Sequence, residues 1–173
     1  RYLFPMQKTT ENLKGSGPRP GIVVRPYQML CIVCRLGQGR GQDLGDRRLN
    51  RILTAIRKNP SLPITLRCNA ESVYSFQNPG RAEDTREGVM FNDKRDLDII
   101  QKLALVPGDT RPARELFQRI FQKLETVQGL CGFAGRSKGP WRGCARAFRG
   151  FYEKGHAAGL ALVIPPRTEE DKA

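Results

Sequence analysis

The residues of this chain that could do chemistry are its cysteines. Cys31 and Cys34 form a Cys-x2-Cys pair, and Cys131 and Cys144 flank a glycine-rich segment far along the chain. Two thiolates from one turn and two from distant elements suit tetrahedral zinc or an iron–sulfur cluster. The sequence therefore predicts a metal site with these four cysteines as ligands and an iron–sulfur cluster or zinc as the cofactor.

The same thiols have a structural alternative, in which they are core residues and no cofactor is bound. Cysteine is among the most buried residue types even where it has no chemical role. A Cys-x2-Cys pair on a helix places both thiols on about one face, which suits core packing as well as metal binding. Five cysteines, an odd number, argue against a complete disulfide framework and favour reduced thiols in a cytoplasm.

A second candidate function is the binding of nucleic acid. Thirty Lys and Arg against seventeen Asp and Glu give a formal charge of +13, which attracts nucleic acid, acidic lipid headgroups or an acidic partner protein. Basic and aromatic residues mix late in the chain, where arginine suits phosphates and an aromatic ring suits bases. The candidate binding residues are Arg136, Lys138, Trp141, Arg142, Arg146 and Arg149. The alternative is that the aromatic residues of this stretch form core.

Conventional catalysis has little support in the sequence. His156 is the only histidine, and a cation near a helix C-terminus is ordinary. The glycine-rich residues 37–41 have neither the Lys-Ser/Thr of a phosphate loop nor a full dinucleotide fingerprint. The sequence therefore assigns no catalytic residue, and it leaves open whether the protein is an enzyme.

The helices and strands that must position these residues can be predicted from the sequence. Their pattern indicates an α/β fold, with α+β as the alternative. We expect one domain over residues 22–166, with about five helices around a small three-stranded sheet, after an irregular arm at 1–21 and before a disordered tail at 167–173. Apolar runs predict strands at 22–24, 62–68 and 160–164. No apolar run approaches the ~18 residues of a membrane span, so we expect no such span.

Helices are predicted from apolar residues at helical spacing and from capping residues. Pro26 begins an apolar, central helix at 27–36. Asp46 caps the second helix, Asp93 the third and Thr110 the fourth, while 141–158 forms the fifth with Phe148 and Tyr152 inside. Residues 69–88 are predicted to form a long loop.

Residues 23–31, Val-Val-Arg-Pro-Tyr-Gln-Met-Leu-Cys, carry a family resemblance. They resemble the Arg-Pro-His-His-x-Leu-Cys opening of an uncharacterised family of small, cysteine-rich bacterial and archaeal proteins that are predicted iron–sulfur or metal binders. The order of elements over 22–133 is also similar, and Cys31 and Cys131 match. The paired histidines are Tyr27 and Gln28 here, and 69–88 has no counterpart of a mid-chain cysteine cluster. The resemblance implies a similar fold order and a metal site, lost here or rebuilt around Cys34 and Cys144.

Overall fold

A computed structural model describes residues 21–68, 86–133 and 142–166, with side chains in the second range from residue 90 onward. The predicted arm up to residue 20, residues 69–85 of the predicted loop and the tail from 167 lie outside the described residues. The described elements comprise three strands, β1 (Ile22–Val24), β2 (Pro63–Leu66) and β3 (Thr110–Pro112), and five α-helices: α1 (Pro26–Gly37), α2 (Arg47–Lys58), α3 (Arg86–Lys102), α4 (Ala113–Lys123) and α5 (Phe151–Ala157). Two short 3-10 helices, Ala145–Arg149 and Leu160–Leu162, flank α5.

The sheet is mixed, with β2 in the centre. β1 runs parallel to β2, with Val23 opposite Thr65, and β3 runs antiparallel to it, with Ile64 opposite Arg111. The helices pack with this sheet around one hydrophobic cluster. The predicted α/β class, with five helices and a three-stranded sheet, is confirmed.

The predicted third strand at 160–164 is wrong. Leu160–Leu162 is a 3-10 helix, and Arg57 of α2 donates hydrogen bonds to the carbonyls of Leu162 and Val163 at 3.0 and 3.2 Å. A short apolar run fits a buried strand or a buried turn equally well, and periodicity does not separate the two. The true third strand is β3, whose first residue Thr110 was predicted to cap a helix.

The first two helices follow their sequence signals. α1 begins at Pro26, where a missing N–H costs nothing, and it is central: its buried residues are Pro26, Met29, Leu30, Ile32, Val33, Leu36 and Gly37. Asp46 caps α2 by accepting hydrogen bonds from the backbone N–H groups of Arg48 and Leu49. Both predictions are confirmed.

The third helix begins earlier than predicted. α3 starts at Arg86, so Asp93 lies inside the helix and is not its cap. Its carboxylate instead accepts a hydrogen bond from Arg25 at 3.0 Å. Leu97, predicted as core, is 40% exposed, because the charged residues Arg95 and Asp96 occupy the buried face of the helix.

The predicted fifth helix at 141–158 is divided. Gly150 adopts a left-handed conformation (φ 64°), which separates the 3-10 helix Ala145–Arg149 from α5. Tyr152 is buried as predicted and donates to the carbonyl of Leu124 at 2.6 Å. Phe148, also predicted to be inside, is 37% exposed, because the 3-10 turn brings Ala147 to the core in its place.

The α1–α5 crossing is a backbone contact. A Cβ at Gly37 would lie 1.9 Å from the carbonyl oxygen of Phe151, and one at Gly155 would lie 2.3 Å from that of Val33. Only glycine fits at such a separation, so the backbone of α5 packs directly on the backbone of α1 at these two positions.

Among the described residues, no helix is long and apolar enough to cross a bilayer.

Candidate metal centre

The four cysteines singled out by the sequence line one cavity. The cavity has a volume of about 20 Å³, and its walls are Cys31, Cys34, Cys131, Cys144 and Arg95 together with Leu30, Val127 and Ala147. That volume has room for about one water molecule. The fifth cysteine, Cys68, is not among the lining residues. We call this space the thiol cavity.

Cys31 and Cys34 reach the thiol cavity from one turn of α1, because residues three apart share a helix face. The start of α1 is fixed by Asp96, which is fully buried and accepts a hydrogen bond from the Tyr27 N–H at 3.0 Å. Its end is fixed by the contact of Gly37 with α5. Both ends of the helix that carries the two thiols are therefore held by other elements.

Cys131 and Cys144 reach the cavity side by side. The Cys144 N–H donates to the Cys131 carbonyl at 2.7 Å, and Gly132 and Gly143 form an antiparallel bridge. Gly143 has φ 90°, and a Cβ there would lie 2.4 Å from the Cys131 carbonyl oxygen. Glycine is required at this position on both counts, so the two distant cysteines are joined by backbone geometry.

Among the described residues that line the cavity, Arg95 of α3 is the one charged side chain. It is 7% exposed, its Nη2 donates to the Asn92 Oδ1 at 2.6 Å, and its guanidinium carbon lies 4.2 Å from the centre of the Tyr27 ring. Its Nε is buried without an acceptor. Within the described part of the chain, no carboxylate forms an ion pair with it. The carboxylate of Asp96, which bonds to Arg25, offsets the charge of Arg95 in part. Burial of a cation that lacks a directly bonded anion is costly, so a negative charge in the cavity would be favourable.

Cys31, Cys34 and Cys131 are held in their neutral form by their surroundings. Burial raises the pKa of Cys31, and it raises the pKa values of Cys34 and Cys131 to about 12. The neighbouring thiols act in the same direction, while the positive charge of Arg95 lowers the pKa of Cys31 and of Cys131. These effects couple the cysteines to one another across the cavity. A metal ion would have to displace their protons, since thiolate is the ligand form.

The donor types fit a thiolate-ligated metal group. Four thiolates match structural zinc or a cubane iron–sulfur cluster, and either complex carries a net charge of about −2, which Arg95 would offset in part. A cavity of about 20 Å³ suits a single zinc ion, whereas a cluster would enter only if the elements that carry the cysteines moved apart. Among the described residues, no group of three or more His, Cys, Asp or Glu side chains is already arranged to hold a metal ion. Binding of a single ion would therefore require the cysteine side chains to turn from their present rotamers.

Of the six residues predicted to bind nucleic acid, three lie within the part of the chain that the structure describes. Arg136, Lys138 and Trp141 lie outside the described residues. Arg142, Arg146 and Arg149 are exposed, and the Arg142 guanidinium lies 5.8 Å from the centre of the Phe148 ring.

Two arginines lie beside the thiol cavity without lining it. The charges of Arg146 and of Arg35, which follows Cys34 on α1, lower the pKa of Cys31 and of Cys34. Basic residues thus adjoin the thiols on both of the elements that carry Cys34 and Cys144.

His156 lies apart from the thiol cavity. Its Nε2 is 3.0 Å from the carbonyl oxygen of Phe121, and its ring stacks on the Phe121 ring at 5.3 Å between centroids. It is not among the residues that line the cavity. These contacts give no support for a pairing of the His156 imidazole with a cavity thiol.

Sequence reasoning missed Arg95, although a signal was present. Phe91, Arg95 and Ile99 follow one another at intervals of four, and all three are buried. Side chains at that interval share a helix face, so the apolar residues on either side indicated that the arginine faces inward. Its position in a charged run, between Lys94 and Asp96, suggested a solvated face instead.

Comparison of the chain with protein-family models, with curated proteins and with solved structures gave no match.

Proposed function

We propose that this protein binds a thiolate-ligated metal centre, either an iron–sulfur cluster or a zinc ion, through Cys31, Cys34, Cys131 and Cys144. The observation that carries the proposal is the convergence of these four thiols, from three separate segments, on one cavity. That cavity also contains a buried arginine that forms no ion pair with any described residue. The centre serves in a non-catalytic or accessory role, because the described residues that line the cavity include no general acid, base or activated nucleophile apart from the thiols themselves.

Each wall of the cavity has a role under this proposal. The cysteines supply the ligands, and Leu30, Val127 and Ala147 exclude water, which protects thiolate bonds from hydrolysis and oxidation. Arg95 places a positive charge against sulfur, and a charged donor beside the ligating sulfur atoms stabilises the thiolate form and tunes a metal site. When bound, the metal supplies either structural cross-linking or electron transfer.

A cytoplasmic location is part of this proposal. The four cavity cysteines form no disulfide with one another, and a thiolate centre requires that they stay reduced. Reducing compartments maintain that state, whereas oxidising ones convert neighbouring thiols into disulfides.

The first test is the metal content of protein purified without oxygen. We expect about one zinc per chain or, for a cluster, iron and acid-labile sulfide with a broad visible absorption band. Elemental analysis and the absorption spectrum measure the two cases. Cys31→Ser and Cys144→Ser should each lose most of the metal, because each removes one of four ligands.

Cys68→Ser is the matched control, since Cys68 is a half-buried thiol outside the cavity. It should keep the metal content of the parent protein. Folded parent protein that stays metal-free after reconstitution with iron, sulfide and zinc would contradict the proposal. An equal loss of metal in Cys68→Ser and Cys31→Ser would also contradict it, because the cavity would then not be the site.

A further inference from the structure

We propose that the arginines around the thiol cavity bind single-stranded nucleic acid directly over the metal centre, so that polyanion and metal share one composite site. We call this surface the cationic rim and define it as Arg35, Arg142, Arg146 and Arg149. The inference rests on the proposed function only in placing a metal beneath the rim.

The rim is attached to the thiol ligands by the chain itself. Arg35 follows Cys34 on α1, and Arg146 stands two residues after Cys144 on the 3-10 helix. Cys34 and Cys144 are the half-buried thiols at these positions. The charges of Arg35 and Arg146 both act on Cys34, so the elements that place two ligands in the cavity also place two positive charges near it.

The rim carries positive charge without local compensation. Residues 26–42 and 142–152 contain no Asp or Glu, and Arg142, Arg146 and Arg149 are exposed. None of the four rim arginines forms an ion pair with a carboxylate in the part of the chain that the structure describes. Exposed arginines free of carboxylates are the usual partners of phosphate groups.

An aromatic face among these arginines favours single-stranded nucleic acid over an acidic protein. Phe148 is 37% exposed, and its ring rests on Gly132, where a Cβ would come within 3.1 Å of the ring. One side of the ring thus packs on Gly132 and the ring is otherwise open to solvent, with the Arg142 guanidinium carbon 5.8 Å from its centre. Unpaired bases stack on such rings while arginines hold the adjacent phosphates.

A strand bound on the rim would cover the approach to the thiols. Cys34 and Cys144 are the ligands nearest to the rim in sequence, so a chelator that attacks from that side would be blocked. We therefore expect nucleic acid to slow removal of the metal, and loss of the metal to disturb the rim through Cys144.

The test uses the metal-loaded protein and a fluorescent oligothymidylate, with affinity measured by anisotropy at several salt concentrations. Arg146→Ala/Arg149→Ala should bind about tenfold more weakly, and the slope of log affinity against log salt should fall by about 1.4 for two lost phosphate contacts on a single strand. Phe148→Leu keeps a side chain over Gly132 without an aromatic face and should weaken binding at least roughly fivefold.

The matched control is Arg47→Ala/Arg51→Ala, which removes two exposed arginines from α2 and should change affinity less than about threefold. Equal losses in the two double variants would overturn the inference, because net charge alone would then explain binding. Retention of an acidic protein without affinity for the oligonucleotide would overturn it as well.

Metal release to a chelator separates this inference from the proposed function. In the parent protein, saturating oligothymidylate should slow release several-fold, and in Arg146→Ala/Arg149→Ala the same concentration should not. A metal-loaded protein whose release rate ignores bound oligonucleotide contradicts the composite site and leaves the metal centre standing. A protein that takes up no metal contradicts the proposed function, while the anisotropy data still decide whether the rim binds nucleic acid.

Discussion

Two arginines packed near the start of α1 have opposite surroundings. Arg25 donates from its Nε to Asp96 at 2.7 Å and from its Nη2 to Asp93 at 3.0 Å. Arg95 is more deeply buried, yet its Nε has no acceptor. Its neighbours are two aromatic rings, Asn92, thiols and the carboxylate of Asp96, which already bonds to Arg25. Arg25 thus has carboxylate partners within the structure, whereas Arg95 would gain a directly bonded anion if the thiols beside it acquired negative charge.

This difference separates a structural ion pair from a functional site. A buried charge that has its partners holds elements in register, as Arg25 joins the entry of α1 to α3. A buried charge that lacks a partner is a cost to folding unless a ligand supplies one. We therefore expect substitutions around Arg25 to act on stability alone, and substitutions of Arg95 to act mainly on the metal.

The largest expected effect comes from Asp96→Ala. Asp96 is fully buried and accepts hydrogen bonds from the Arg25 Nε and from the Tyr27 N–H. Its removal leaves both of these donors unsatisfied, while Arg25 keeps its bond to Asp93. We expect a loss of about 3 kcal/mol in the free energy of unfolding, equal in metal-free and metal-loaded protein. Denaturant titration of both forms measures it. A loss confined to the loaded form would place Asp96 with the metal site and break the comparison.

Arg95→Met should have an intermediate effect, on metal binding. Methionine keeps apolar contact with Tyr27 while removing the unsatisfied cation, so the stability of the metal-free protein should change by less than about 1 kcal/mol. Metal affinity should fall roughly tenfold to a hundredfold, because an anionic centre loses its compensating charge. Competition with a chromophoric chelator measures the affinity.

Arg95→Lys tests whether the positive charge itself matters. It should recover part of the affinity lost in Arg95→Met, since lysine restores the charge without the planar guanidinium. Equal metal affinities in the parent, Arg95→Met and Arg95→Lys would show that Arg95 is structural, in the same sense as Arg25.

The smallest effect is expected from Asp98→Ala, which applies the change made at Asp96 two residues further along α3. Asp98 forms an i,i+4 pair with Lys94, whose side chain is 52% exposed. Such solvent-screened pairs contribute about 0.3–0.5 kcal/mol. Thermal or denaturant unfolding should detect that small loss and no change in metal content. A cost close to that of Asp96→Ala would mean that burial does not set the scale of these effects.

The parts of the fold that were predictable have local causes. The cap of α2 at Asp46 and the entry of α1 at Pro26 depend on residues adjacent in sequence, so their patterns were visible. β3 was not visible, because Thr110–Pro112 is three residues long and becomes a strand only through pairing with β2. The run at 160–164 was mistaken for a strand because its contact with Arg57 joins residues far apart in the chain.

The cysteines of the candidate site were predicted from the sequence, whereas its charged residue, Arg95, was not. Cysteine is rare enough that four of them at these positions suggested a common site, and the structure brings all four to one cavity. Arg95 was hidden because a charged residue inside a charged run gives no periodic signal of its own. The bridge between Gly132 and Gly143 was also hidden, since glycine spacing does not specify which backbone approaches it.

The bare crossing at Gly37 and Gly155 has a consequence for the dimensions of the site. Gly37 lies three residues after Cys34, and α5 follows directly from the 3-10 helix that Cys144 precedes. The distance across the cavity from α1 to the Cys144 segment is therefore set by main chain resting on main chain. Repacking of core side chains would leave that span nearly constant, while a single methyl group added at either glycine would widen it. The width of the thiol cavity thus depends on Gly37 and Gly155, two positions that carry no side chain.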